Sequence, residues 1–185
     1  MKRIVISLVL TLLCVTTYSQ VSYGRFVMFP DSKLPGSMWK PQINFTRLDD
    51  QDIIGIRTCA SDTYHSFDTD SRVLVRFADS TIVKLPIIPE FEVQKSYNNT
   101  WVGNVLVDNY VTYSFYNIED ETIAKIVEKL IPIVKIRIVF TNGNVSDYEI
   151  KPSYQKKLTD GLIKSRIDAI SQNVQRASNS TDENF

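Results

Sequence analysis

The amino-acid sequence predicts an α+β fold: a mostly antiparallel β-sheet with two amphipathic helices, the second at the C-terminus. Three observations carry this. Short runs rich in Val, Ile, Phe and Tyr recur through residues 43–150, several with strict alternation of apolar and polar positions. Two stretches, after residue 117 and after residue 152, instead repeat their apolar residues at helical spacing. The strands come in a block, with few helices after them, which is the order of an α+β chain rather than of alternating βαβ units.

The chain opens with Lys2 and Arg3, runs through apolar residues from Ile4 to Val15, and turns polar at Thr16, Thr17, Tyr18 and Ser19. That is the three-part plan of a cleavable signal peptide, and the small residues Thr17 and Ser19 place the cut after Ser19. The apolar run, about 12 residues, is too short for a bilayer core that needs roughly 20, so no membrane span is expected after cleavage. Residues 1–19 therefore read as a signal peptide and the protein as exported, secreted or periplasmic. Cys14 lies in the apolar run, but the bulky Leu12 and Leu13 before it argue against lipid attachment there. Cleavage leaves Cys59 as the one thiol, so an internal disulfide is excluded. Small exported domains often lean on disulfides; this one must fold by burial alone, which a domain of about 150 residues can do.

From residue 20 to 42 the sequence predicts a strand, Tyr23 to Phe29, and a loop punctuated by Pro30-Asp31, Pro35-Gly36 and Pro41. A single α+β domain is expected over 43–175. Its first strands are Ile43 to Leu48 and Ile53 to Thr58. Arg72 to Leu85 reads as a hairpin: Val73, Val75 and Phe77 share one face and Arg72 and Arg76 the other, and Pro86 and Pro89 end the return strand. Phe91 to Tyr97 and Trp101 to Val107 follow, divided at Asn98-Asn99. In Tyr110 to Tyr116, Val111, Tyr113 and Phe115 are expected inward, with Tyr110, Thr112, Ser114 and Tyr116 on an outward face that two tyrosines mark as partly covered.

Asn117 opens the first helix, with Glu119, Asp120 and Glu121 at the positive end of its dipole and Ile123, Ile126, Val127 and Leu130 as its apolar stripe. Pro132 stops it. Ile133 to Phe140 is the strongest strand, apolar at Val134, Ile136, Ile138 and Phe140; Asn142-Gly143 turns it into Val145 to Ile150. The first helix leaves a parallel pairing between the strands on either side of it open. Ser153 caps a final helix whose broad apolar face is Leu158, Leu162, Ile163, Ile167, Ile170 and Val174. Gly161 within it costs about 1 kcal/mol relative to alanine and so implies close packing or an irregularity. Residues 176–185 lack an apolar period and are expected to be a disordered tail.

From Ile118 to Ile150 an acidic-capped helix leads to Lys135-Ile136-Arg137-Ile138, a turn, and Asp147-Tyr148-Glu149-Ile150, before the terminal helix. This arrangement resembles one that recurs in uncharacterised exported proteins of Gram-negative bacteria, over roughly the last third of the chain. The resemblance implies a domain of unknown function in the cell envelope and adds no chemistry.

Basic and acidic residues balance at 21 each, and cleavage removes Lys2 and Arg3. The charges are dispersed along the chain, which argues against nucleic acid as a partner. The one histidine, His65, lies near Cys59, but a buried inert cysteine and a loop histidine explain both without a catalytic pair. Asp62, His65, Asp68 and Asp70 share a polar loop whose spacing lacks the glycine and distal glutamate of a calcium loop. No cofactor or metal is expected. Glu90, Glu92, Asp108 and Glu149 supply carboxylates for a paired-acid hydrolase, yet no spacing selects two of them. Aromatics cluster between Tyr97 and Tyr116, and Trp101, Tyr110 and Tyr116 are the candidate ligand-binding residues. The expected function is thus a non-catalytic envelope module that binds a protein or a glycan, with a secreted carboxylate-pair hydrolase as the alternative.

Overall fold

In the computed structural model, which describes residues 21–29, 40–60, 63–89, 91–141 and 143–182, the described residues form ten strands and two helices. The predicted signal peptide lies outside them. The strands are Val21–Tyr23 (β1), Val27–Met28 (β2), Gln42–Leu48 (β3), Gln51–Ala60 (β4), Arg72–Phe77 (β5), Ile82–Pro86 (β6), Gln94–Val102 (β7), Val105–Asn117 (β8), Ile133–Val139 (β9) and Val145–Glu149 (β10). Helix α1 is Asp120–Val127 and α2 is Pro152–Asp182. The fold is α+β, mostly antiparallel sheet with two helices, the second C-terminal.

The strands divide into two sheets. The larger runs β1-β3-β4-β8-β7, with β2 also on β3; the smaller runs β10-β9-β5-β6. Every pairing is antiparallel. The parallel pair left open around α1 does not form: β8 and β9 belong to different sheets, because α1 carries the chain from one to the other.

Alternation explains why the sheets meet. Ile43, Phe45, Ile54, Ile56 and Tyr116 fall on one face of the large sheet, and Val73, Val75, Phe77, Ile136 and Ile138 on the facing side of the small one; all are buried in one core cluster. Ile123 and Ile126 of α1 and Leu158 and Leu162 of α2 complete it. Ile133 joins this core out of the predicted phase, since a register shift at Arg76/Phe77 sets Ile133 opposite Phe77. Leu130 leaves the predicted stripe of α1: the helix ends at Val127, and Leu130 is exposed with φ of 52°.

Helix α2 meets the sheet edge where the chain departs from it between β1 and β2. Gly24 N donates to Phe45 O at 2.8 Å, while Phe45 N donates to Ser165 Oγ at 2.9 Å. A Cβ on Gly24 would sit 2.0 Å from Ser165 O, and one on Gly161 2.7 Å from Val27 Cγ1, so both glycines permit close approach. The buried positions of α2 are therefore Leu158, Thr159, Leu162, Ser165 and Ala169, while Ile167 and Val174 of the predicted face are 56% and 63% exposed. The helical backbone also continues past residue 176, where a disordered tail is expected, to Asp182. Extending a formed helix adds a backbone hydrogen bond per residue, and no Gly or Pro follows Arg176 to stop it.

Candidate functional site

The large sheet is bent. Tyr23 on β1 and Gln94 on β7, at opposite ends of its strand order, approach so that Gln94 Nε2 donates to the Tyr23 hydroxyl at 3.3 Å. In a flat sheet with strands about 4.8 Å apart these edges would lie far beyond hydrogen-bond reach. The bend makes a trough of the face turned away from the small sheet. Ile53, Ile88, Phe115 and part of Tyr113 fill one end as a separate core cluster, with Phe91 and Leu48 packed against it. The other end is an open cavity of about 460 Å³, and its lining includes Tyr23, Phe26, Arg57, Ser96, Val111 and Tyr113.

Local sequence places these groups. Register sets Arg57 opposite Tyr113 and Cys59 opposite Val111, so all four side chains share the trough face. Tyr113 leans across β4 over Gly55, and its hydroxyl reaches Asn44 Oδ1 at 2.9 Å and Thr46 Oγ1 at 3.0 Å. Burial pushes its phenol up to about 12. Phe26 stands edge-on to the Tyr113 ring with centroids 5.3 Å apart, and the Arg57 guanidinium lies 5.4 Å from the Phe26 centroid. Arg57 otherwise reaches only an amide oxygen, Gln42 Oε1 at 3.4 Å, and makes no ion pair among the described residues.

The predicted aromatic stretch is distributed over three settings. β4 accompanies β8 only as far as Ala60, opposite Tyr110, so Val105–Asn109 pairs with β7 alone and the two strands continue as a ribbon. On one face of this ribbon Tyr97 stands opposite Tyr110, Asn99 opposite Asp108, and Trp101 opposite Leu106. Trp101 is 67% exposed and Tyr97 51%. The Tyr97 hydroxyl donates to Asp108 Oδ1 at 2.6 Å. Tyr110 is half-buried between Tyr64 and Tyr97, at centroid distances of 5.1 and 5.3 Å. Tyr116 is corrected: it is fully buried, with its hydroxyl 3.0 Å from Ser114 Oγ, because the small sheet covers that face of β8. It presents nothing to a ligand.

The structure also separates the residues that sequence proximity grouped. Cys59 points to the trough face, where burial raises its thiol pKa and disfavours the reactive thiolate. His65 lies on the opposite face, with Nδ1 2.8 Å from Thr58 Oγ1 and its ring against Phe140. Asp68 accepts from Asp70 N and Ser71 Oγ within its own turn. Among the described residues no group of three or more His, Cys, Asp or Glu is placed to hold a metal ion. Of the candidate carboxylates, Asp108 is on the ribbon and Glu149 on β10 of the other sheet, while Glu90 lies outside the described residues. No helix among the described residues is long and apolar enough to cross a membrane. Comparison of the chain with protein-family models, with curated proteins and with solved structures finds no match.

Proposed function

We propose that this chain is an exported, non-catalytic module that binds an envelope glycan along the exposed face of the β7–β8 ribbon. The observation that carries the reading is the order of groups on that face: Tyr97, then the Asn99/Asp108 pair, then Trp101. Two exposed rings four residues apart along a strand stand about 13 Å from each other, with hydrogen-bonding side chains between them. Aromatic platforms flanking polar groups match a sugar chain, which offers apolar ring faces and hydroxyl edges in turn. The leading segment from Lys2 to Ser19, with its charged start and short apolar run, supports export.

Calorimetric titration with chitotetraose and with soluble peptidoglycan fragments tests the reading. Saturable binding is expected, weakened about thirtyfold by Trp101→Ala, the loss typical of a Trp anchor. Absence of binding to either glycan, or binding indifferent to Trp101→Ala, overturns it. Mass spectrometry of protein from its native host should find the N-terminus at Gln20.

A further inference from the structure

We propose that the open end of the trough is a second binding site, for a small carboxylate carrying a flat aromatic body. It is independent of the ribbon: the two surfaces lie on opposite faces of β7 and β8, as their alternation requires. Three features define the ligand. The cavity, about 460 Å³, is of the size that holds small molecules. Its apolar wall consists of Tyr23, Phe26, Val111 and Tyr113, and a planar ring entering the cavity alongside Phe26 and Tyr113 extends the edge-to-face contact those rings already make.

Charge supplies the rest. Among the described residues no acidic side chain lines the cavity; its cations are Arg57 and Lys95, and the Lys95 ammonium lies 5.8 Å from the Tyr64 ring centroid, which leaves Arg57 as the cation beside the Phe26 and Tyr113 wall. Arg47 and Arg166 are met by Asp52, Arg25 by Asp168 and Arg137 by Asp147, while Arg176 donates to the Val21 carbonyl. Arg57 instead has one long contact to an amide and the face of Phe26, makes no ion pair among the described residues, and lines the cavity. A guanidinium fork donates two parallel hydrogen bonds to a carboxylate, and an aromatic wall beside it selects an acid with a ring over a bare anion.

The test uses the purified protein, amide-resolved NMR, and two isosteric probes, phenylacetate and phenylacetamide. Phenylacetate is expected to saturate, with shifts centred on Ser96, Val111 and Tyr113. Phenylacetamide, lacking the charge, should bind about tenfold more weakly. Arg57→Gln should bring phenylacetate to the level of the amide and leave the amide unchanged; Phe26→Ala should weaken both. Trp101→Ala should change neither, which separates this site from the ribbon. The proposal is overturned if phenylacetate gives no saturable shift up to about 10 mM, if the amide binds as tightly as the acid, if inorganic phosphate binds as well as phenylacetate, or if the shifts map elsewhere.

Discussion

The Tyr113 hydroxyl donates to Asn44 Oδ1 two strands away, and it does so by crossing directly over Gly55. With its one proton committed there, the phenol oxygen accepts from Thr46 Oγ1. A methyl group on Gly55 would lie 2.2 Å from that oxygen and 2.4 Å from Asn44 Oδ1. Gly55→Ala should therefore destabilise the protein by about 1–3 kcal/mol, as overpacking does, read as a lower urea midpoint. The same change in a Tyr113→Leu background should cost clearly less, because the two positions are in contact and their effects do not add. Equal costs in both backgrounds would exclude the crossing as the cause.

Tyr113 also predicts alkaline sensitivity. Burial, the largest cause, raises its folded-state value to about 12, against an unfolded value near 10. The native state then holds this proton more tightly than the unfolded chain. The stabilisation is complete below about pH 10 and is lost as pH rises towards 12, by at most about 2–3 kcal/mol. Tyr116, also raised by burial, adds in the same direction. Urea unfolding at pH 8 and pH 11 should show the decline, and Tyr113→Phe should flatten it. An unchanged slope in that variant would refute the assignment.

Asp52 ties the terminal helix to the sheet. Its carboxylate, 4% exposed, accepts from Arg166 Nε on α2 at 2.8 Å and from Arg47 Nη1 on β3 at 3.2 Å. Both arginines keep part of their hydration, so Asp52→Asn should cost about 1–3 kcal/mol rather than the full penalty of a buried broken pair. Hydrogen exchange should show the loss in α2 first. Uniform loss across both sheets would mean that the helix does not open separately.

These relationships mark where the sequence stops being readable. Val73, Val75 and Phe77 announce their face because alternation is local, and all three are buried as predicted. The buried face of α2 is set by something longer in range. Sequence spacing gives a broad face of Leu158, Leu162, Ile163, Ile167, Ile170 and Val174; Leu158 and Leu162 are buried, yet the helix is rolled towards Gly161 and Ser165, which let Val27 and Phe45 approach, and Ile167 and Val174 stay exposed. The hairpin between β7 and β8 turns after Val102 rather than at Asn98-Asn99, because Gly103 adopts φ of 61° without a Cβ clash. Trp101 and Tyr110 are legible as candidates by residue type. The trough is not: Arg57, Tyr23 and Phe26 come together only through the bend of the whole sheet. Gly55 between isoleucines is the one local trace, a strand glycine that signals close approach of another group.

Asp147 yields a prediction at the acid end. Arg137 donates to it through Nε and Nη2 at 2.6 and 2.7 Å, and Lys135 Nζ lies 3.0 Å away. The hydrogen-bonded Arg137 guanidinium, with Lys135 beside it, holds this carboxyl well below the usual carboxylate range. The sign follows: a depressed folded-state value contributes stability above the unfolded value, near pH 4, that is lost as pH falls towards the folded one. Register places Arg76 next to Lys135 on the same outer face, so removing the carboxylate leaves neighbouring cations facing each other. The carboxylate is 36% exposed, and solvent screens it. Asp147→Asn should therefore cost less than Asp52→Asn at neutral pH, and its cost should shrink in about 1 M NaCl, where the screening length falls to roughly 3 Å. Wild-type and variant stabilities should converge as pH drops below about 3. A gap that is constant from neutral to acid pH would show that the side chain acts through packing and not through its charge.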